Sequence, residues 1–157
     1  VIAPLIELGG GFDGNMSAKE NIFFTGSMHG LSHNYLELRY KEILDFAELQ
    51  TFADVPLRNF SSGMRARLGF AIATQIEPDM LLLDEVLSVG DLPVREKSLN
   101  RTKSIINGGA TVLFVSHSMD QVRRLCSKAL WLEQGRMRMF GPASQICDAY
   151  ENCYKTV

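Results

Sequence analysis

The sequence predicts an α/β fold, a mainly parallel sheet flanked by helices with a helical subdomain attached. Three observations lead there. Met80-Leu81-Leu82-Leu83 is a continuous apolar run of strand length that ends at Asp84-Glu85. Such a run is the pattern of a parallel strand covered on both faces. A second run of this kind, rich in Val and Phe, occupies residues 111–116, after a helical stretch over 93–106. The segment between Ser17 and Arg67 carries only helical patterns and reads as a subdomain of residues 17–60 leading into the sheet.

Residues 1–8 form a short apolar segment that enters the breaker cluster Gly9-Gly10-Gly11. Ser17-Ala18-Lys19-Glu20 matches a capping box, so a helix starts there and ends near Gly26 or Gly30. Residues 32–48 read as a second helix, with Leu36, Leu38, Ile43, Leu44, Phe46 and Leu49 spaced for one buried face. Pro56 marks the next loop. Ser61 caps a helix that runs to about Ile76, and Pro78-Asp79 turns the chain into the first strand. Pro93 is tolerated in the first turn of its helix, and Gly108-Gly109 ends it. A helix over 119–126 follows the second strand. Residues 128–133 and 136–140 form a hairpin around Gln134-Gly135, and a last helix follows Gly141-Pro142 to about Tyr154.

The 157 residues suffice for one domain with a real core. With 46% hydrophobic and 22% charged residues and a net charge of −2, the composition is ordinary and gives no push toward nucleic acid. The densest basic groups, Arg65, Arg67, Arg123 and Arg124, are expected on solvated helix faces. Three cysteines without a C-x-x-C spacing suit a reduced, cytosolic setting. No apolar run is long enough to span a bilayer. His29 and His33 are four apart, but Gly30 and Ser32 interrupt any helix that would make them a metal pair.

Chemistry gathers at three places. Asp84 and Glu85 stand at the mouth of a buried strand. A carboxylate there can hold Mg²⁺ on bound phosphates, commonly through water, and a second can deprotonate an attacking water. His117 follows the second strand by one residue, where a parallel neighbour would bring it toward those acids. Ser61-Ser62-Gly63 opens a helix with small residues, which leaves backbone N–H groups and two hydroxyls open to an anion.

Order and spacing together resemble a known family. Phe60-Ser61-Ser62-Gly63-Met64 resembles the signature motif of ABC-type ATPases, and Leu81-Leu82-Leu83-Asp84-Glu85 their Walker B motif with its catalytic glutamate. Ser88-Val89-Gly90-Asp91 resembles the D-loop and Val115-Ser116-His117 the H-loop. The signature departs from Leu-Ser-Gly-Gly-Gln at Ser62 and Met64. These variants, with Glu7-Leu8-Gly9-Gly10-Gly11-Phe12 ahead of Glu20-Asn21-Ile22, look like the ATPase subunits of bacterial polysaccharide, O-antigen or teichoic-acid exporters. The Q-loop position then falls near Glu7, not on a glutamine.

The resemblance implies an ATP- and Mg²⁺-dependent ATPase working as a homodimer beneath a transmembrane permease, peripheral on the cytoplasmic face of a bacterial membrane. It implies Glu85 as general base and His117 as a contact to the γ-phosphate. Asp84 would hold Mg²⁺ through water, and Glu7 would be a further metal-sensing position. Ser61, Ser62 and Gly63 would face the γ-phosphate bound by the other copy, and Asp91 would act across the dimer. The rival from another class is a soluble ABC-type ATPase of DNA repair, chromosome structure or translation, with no permease.

Gly9 and Gly14 have the glycine spacing of a phosphate loop, but Asn15 stands where its lysine belongs and Met16 where its hydroxyl belongs. The resemblance also places this stretch well after the family's Walker A loop. That loop is therefore expected in a segment ahead of Val1. The whole chain is accordingly read as the C-terminal part of one ABC ATPase domain, with residues 61–157 carrying the signature helix, Walker B, D-loop, H-loop and terminal hairpin.

Overall fold

Capping chemistry sets the helices of the amino-terminal region. The computed structural model describes residues 2–5, 11–75, 79–84 and 92–154. Two compact units are present, residues 1–113 and 114–157.

In the first unit, strand β1 (Ile2–Leu5) precedes helix α1 (Ala18–Met28). Ser17 makes the expected capping box. Its hydroxyl accepts from the Glu20 N–H at 3.2 Å, and its own N–H donates to Glu20 Oε2 at 2.7 Å. Helix α2 (His33–Ala47) starts at the Ser32 cap and ends on Glu48, which adopts the left-handed conformation (φ 59°). Helix α3 (Ser62–Ala73) starts at the Ser61 cap. It ends at Ala73, three residues short of Ile76, with Thr74 as C-cap and the Thr74 hydroxyl bonded back to the Phe70 and Ala71 carbonyls.

These three helices enclose one core of Ile22, Leu36, Ile43, Leu44, Leu49, Leu57, Leu68 and Ile72, all nearly inaccessible to solvent. Leu38 does not join it. It is 80% exposed on the outer side of α2, although its apolar character groups it with the buried face. At 100° per residue, Leu38 sits about 200° around the helix from Leu36, which is buried.

Strand β2 (Met80–Asp84) runs parallel to β1, with Ile2 opposite Met80 and Leu5 opposite Leu83. The sheet order is β1-β2-β3, where β3 is Thr111–Val115. Central β2 buries Leu81 and Leu83, leaves Met80 and Leu82 on the other face half-buried where its pattern predicts coverage on both faces, and ends on an exposed Asp84. Strand β3 departs from expectation. Its residues alternate, with Leu113 61% and Val115 58% exposed, so it is not a buried strand among the described residues. A strand at the edge of this sheet has one ladder partner and here one uncovered face. Helix α4 (Leu92–Asn107) connects β2 to β3, and Gly109 (φ +100°) turns the chain behind it.

In the second unit, helix α5 (Met119–Leu125) is followed by strands β4 (Lys128–Glu133) and β5 (Arg136–Pro142) and helix α6 (Ala143–Tyr154). Gln134 (φ 48°) and Gly135 (φ 74°) form the hairpin turn, two left-handed residues in the combination that matches strand twist. Val122, Ala143 and Cys147 form the core of this unit, with Phe114, Met119, Cys126 and Ala129 against it. Trp131 is buried at the edge of Tyr150, ring centroids 5.3 Å apart. Arg123 is exposed, as expected of a solvated helix face, and is also ion-paired there. It binds Asp148 at 2.7 Å and Glu151 at 3.0 Å, which joins α5 to α6.

Candidate functional site

The segment Ser61-Ser62-Gly63 is built by three local interactions. The Ser61 hydroxyl accepts from the Met64 N–H at 3.2 Å, which satisfies one of the helix's unpaired donors. Its own proton remains available to donate. The Phe60 N–H bonds the Leu57 carbonyl at 3.0 Å, and Phe60 packs into the core. Arg65 reaches back from the first turn of α3 to the same Leu57 carbonyl at 3.0 Å. Arg65 thus fixes the helix start instead of sitting on a solvated face. Ser61 and Ser62 are exposed, and a Cβ built on Gly63 would meet only the Ser61 hydroxyl, at 3.9 Å. Open space, two hydroxyls and the first N–H groups of a 12-residue helix make a donor set that fits a phosphate oxygen.

Asp84 is the last residue of β2 and its carboxylate is exposed, which suits a group that holds a cation through water. His117 lies in the second unit, exposed, two residues beyond the end of β3. Its neighbours are fixed: the Ser118 N–H donates to Ser116 Oγ at 3.0 Å, and Ser118 caps α5. Glu7, Glu85 and Asp91 lie outside the described residues, as do Gly9, Gly10 and the rest of the D-loop pattern, Ser88 to Gly90. Among the placed positions, Ser61, Ser62, Gly63 and Asp84 belong to the first unit and His117 to the second.

The loop around Gly14 has the opposite construction from a phosphate cradle. A cradle aims free backbone N–H groups at an anion. Here the Asp13 N–H goes to Asn21 Oδ1 at 2.9 Å, the Asn15 N–H to Asp13 Oδ1 at 2.8 Å and the Met16 N–H to the Asp13 carbonyl at 3.2 Å. Asn21, fully buried, also donates to the carbonyls of Asp13, Met16 and Ser17. Asn21 belongs to the Glu20-Asn21-Ile22 stretch of the family resemblance, which does not reveal its role in holding this loop. The one hint in the sequence is an amide beside Ile22 on an otherwise apolar helix face. His29 caps the end of α1 and His33 opens α2, its ring tilted against Phe23 at 4.9 Å between centroids, so the two do not share a helix.

Beside this loop lies a surface cleft of about 620 Å³, lined by Met16, Ser17, Lys19, Glu20, Phe23, Phe24 and Asp54. It combines exposed aromatic surface with charges of both signs. Among the described residues, no helix is long and apolar enough to cross a membrane.

No family model matches the sequence. Curated relatives do. The O-antigen export system ATP-binding protein RfbB of Klebsiella pneumoniae is 41% identical over 150 residues, which cover 96% of this chain and 61% of the relative. The teichoic acids export ATP-binding protein TagH of Bacillus anthracis is 40% identical over 153 residues, 98% of this chain and 28% of the relative. RfbB of Myxococcus xanthus is 39% identical over 149 residues, 95% of this chain and 34% of the relative. The chain thus spans less than two thirds of the length of these relatives.

Among solved structures, an ATP-binding subunit of an ABC transporter superposes with a TM-score of 0.82 at 22% identity, over 96% of this chain and 62% of that one. A dimeric ATP-binding cassette in a post-hydrolysis state, bound to ADP and Pi, superposes with a TM-score of 0.74 at 22% identity, over 90% of this chain and 62% of that one. Over nearly its whole length the chain is therefore similar to ATP-binding proteins of O-antigen and teichoic acid export systems, and it carries part of the ABC ATPase fold.

Proposed function

We propose that this chain belongs to an ATP-hydrolysing nucleotide-binding subunit that powers export of a polysaccharide or lipid-linked glycan through a membrane permease. The observation that carries the reading is identity of about 40% over nearly the whole chain to proteins named for O-antigen and teichoic acid export. That likeness favours export over a soluble, permease-free ATPase.

In this reading two copies enclose the nucleotide. The Ser61 and Ser62 hydroxyls and the Gly63 N–H of one copy bind the terminal phosphate held by the other, as the open helix start allows. Asp84 orients water around the metal from the end of β2. Mg²⁺, when bound, supplies positive charge against the charge that develops on the phosphate oxygens. Glu85 takes the proton of the attacking water, His117 donates a hydrogen bond to a phosphate oxygen, and Asp91 acts across the dimer. Glu7 stands at the Q-loop position. The cleft by Phe23 and Phe24 is the recess into which the permease fits, on the cytoplasmic side of the membrane.

The test uses the full gene product. Glu85→Gln should retain ATP binding and lose turnover by about 10²–10⁴-fold, the contribution of a positioned general base. Cells with this variant should hold the glycan inside. Turnover equal to the parent's would remove Glu85 as the base, and normal surface glycan in a gene deletion would refute the export role.

A further inference from the structure

The helix that carries Ser61-Ser62-Gly63 at its amino end is held at its carboxyl end by a cation from another element. Helix α3 ends at Ala73, and the carbonyls behind it have no partner inside the helix. Arg101 of α4 donates from Nη2 to the Thr74 carbonyl at 2.7 Å. Tyr35 of α2 donates its hydroxyl to the next carbonyl, Gln75, at 3.3 Å. A charged donor at this distance makes one of the stronger hydrogen bonds, and a helix carboxyl end is where positive charge is favoured. One turn earlier on α4, Lys97 donates to the Asp45 carbonyl in the last turn of α2 at 3.2 Å. Lys97 and Arg101 are four apart and share a face. That face of α4 therefore gathers the carboxyl ends of α2 and α3.

From this geometry we propose that Arg101 is a positioning residue for the signature segment. The inference rests on the ATPase reading above. Helix α4 is the next described element after β2, whose end carries Asp84, and Asp84 and Glu85 serve the nucleotide of their own copy. Helix α3 presents the signature to the nucleotide of the other copy. Arg101 is the fixed joint between them. A helix of 12 residues is about 18 Å long and stiff, so release of its carboxyl end pivots its amino end. Loss of the joint misplaces Ser61, Ser62 and Gly63 when the dimer closes, while each copy's hold on its own nucleotide is left intact.

The experiment is steady-state ATP hydrolysis by the full gene product and its Arg101→Met and Arg101→Lys variants, with melting temperature recorded for each. Methionine keeps the stem volume and removes the donors. Arg101→Met should lower kcat about tenfold with KM for ATP within about twofold, the mark of an interaction used only beyond binding. Arg101→Lys, which keeps the charge, should return to within about threefold of the parent. Unchanged kcat in Arg101→Met would overturn the proposal, as would equal losses in kcat for both variants alongside equal falls in melting temperature. If Arg101→Met does not fold, Arg101→Gln, which also removes the charge, decides: a reduced kcat at constant KM supports the joint, and an unchanged kcat overturns it. An inactive parent protein would bring down the ATPase reading and this inference with it. An active parent with a normal Arg101→Met would bring down this inference alone.

Discussion

Replacing Asn21 by Ala should unlock the loop ahead of α1 and cost about 4 kcal/mol, from roughly 1 kcal/mol for each of the two amide protons shared among three carbonyls plus roughly 2 kcal/mol for a stranded donor. The Asn21 amide donates to Asp13 O at 2.9 Å, Met16 O at 3.2 Å and Ser17 O at 2.9 Å. Those carbonyls keep one backbone partner each, from the N–H groups of Met16, Leu57 and Asn21. The half-buried Asp13 N–H does not, because Asn21 Oδ1 is its acceptor. The assay is native-state hydrogen exchange of the α1 amides, where a loss of 4 kcal/mol raises the globally limited exchange rate by about 10³-fold. Asn21→Asp keeps the acceptor but aims a carboxylate at three carbonyls, so it should lose at least as much. A change under about 1 kcal/mol in both variants would refute the argument, because it would mean that water serves the loop as well as Asn21 does.

Two further outcomes follow from local geometry. Gly26→Ala should destabilise the helical core by about 1–3 kcal/mol in denaturant titration, the usual range for overpacking. A Cβ there would stand 2.6 Å from Cδ2 of Leu36, itself wholly buried. The second concerns pH. Glu20 is held below its ordinary value of 4.5 by its hydrogen bonds from the Ser17 backbone and hydroxyl, and Glu133 by Arg138 and then Tyr154. A carboxylate with a lowered folded value contributes stability above its unfolded value and loses it as pH falls through the folded one. Melting temperature should therefore hold down to about pH 4.5 and fall below it, and Ser17→Ala should return Glu20 toward 4.5 in a carboxyl NMR titration.

Much of the architecture is legible because it follows from local chemistry. Ser17, Ser32 and Ser61 each cap the helix their pattern announces, and Gln134-Gly135 makes the turn its residues favour. What escapes is set by tertiary neighbours. Leu38 is the exception, since the helix period alone turns it outward from Leu36. The apolar run of β3 resembles that of β2, yet position in the sheet, not composition, decides that Leu113 and Val115 are uncovered. For the site, Ser61, Ser62, Gly63, Asp84 and His117 are visible as motif residues with their elements. The loop-holding role of Asn21 and the contact of Arg101 are not, since an amide facing a loop or an arginine facing a helix end leaves no periodic trace. Arg67 shows the same limit: it lies near Glu48 of α2, at 3.8 Å, and its Nε is buried.

The placement of Trp131 has a practical consequence. It is the one tryptophan in the 157 residues, and it sits in the second unit at 5.3 Å from Tyr150 and 6.4 Å from Tyr154. Indole fluorescence is thus a local reporter, fed by two tyrosines that pass their excitation to it and silent about the helices around Ser61. Circular dichroism is weighted toward the first unit, which holds α1 to α4. Unfolding curves from the two signals on one sample therefore compare the two units directly. Superimposed transitions mean they melt as one cooperative body, and separated ones give each unit its own stability.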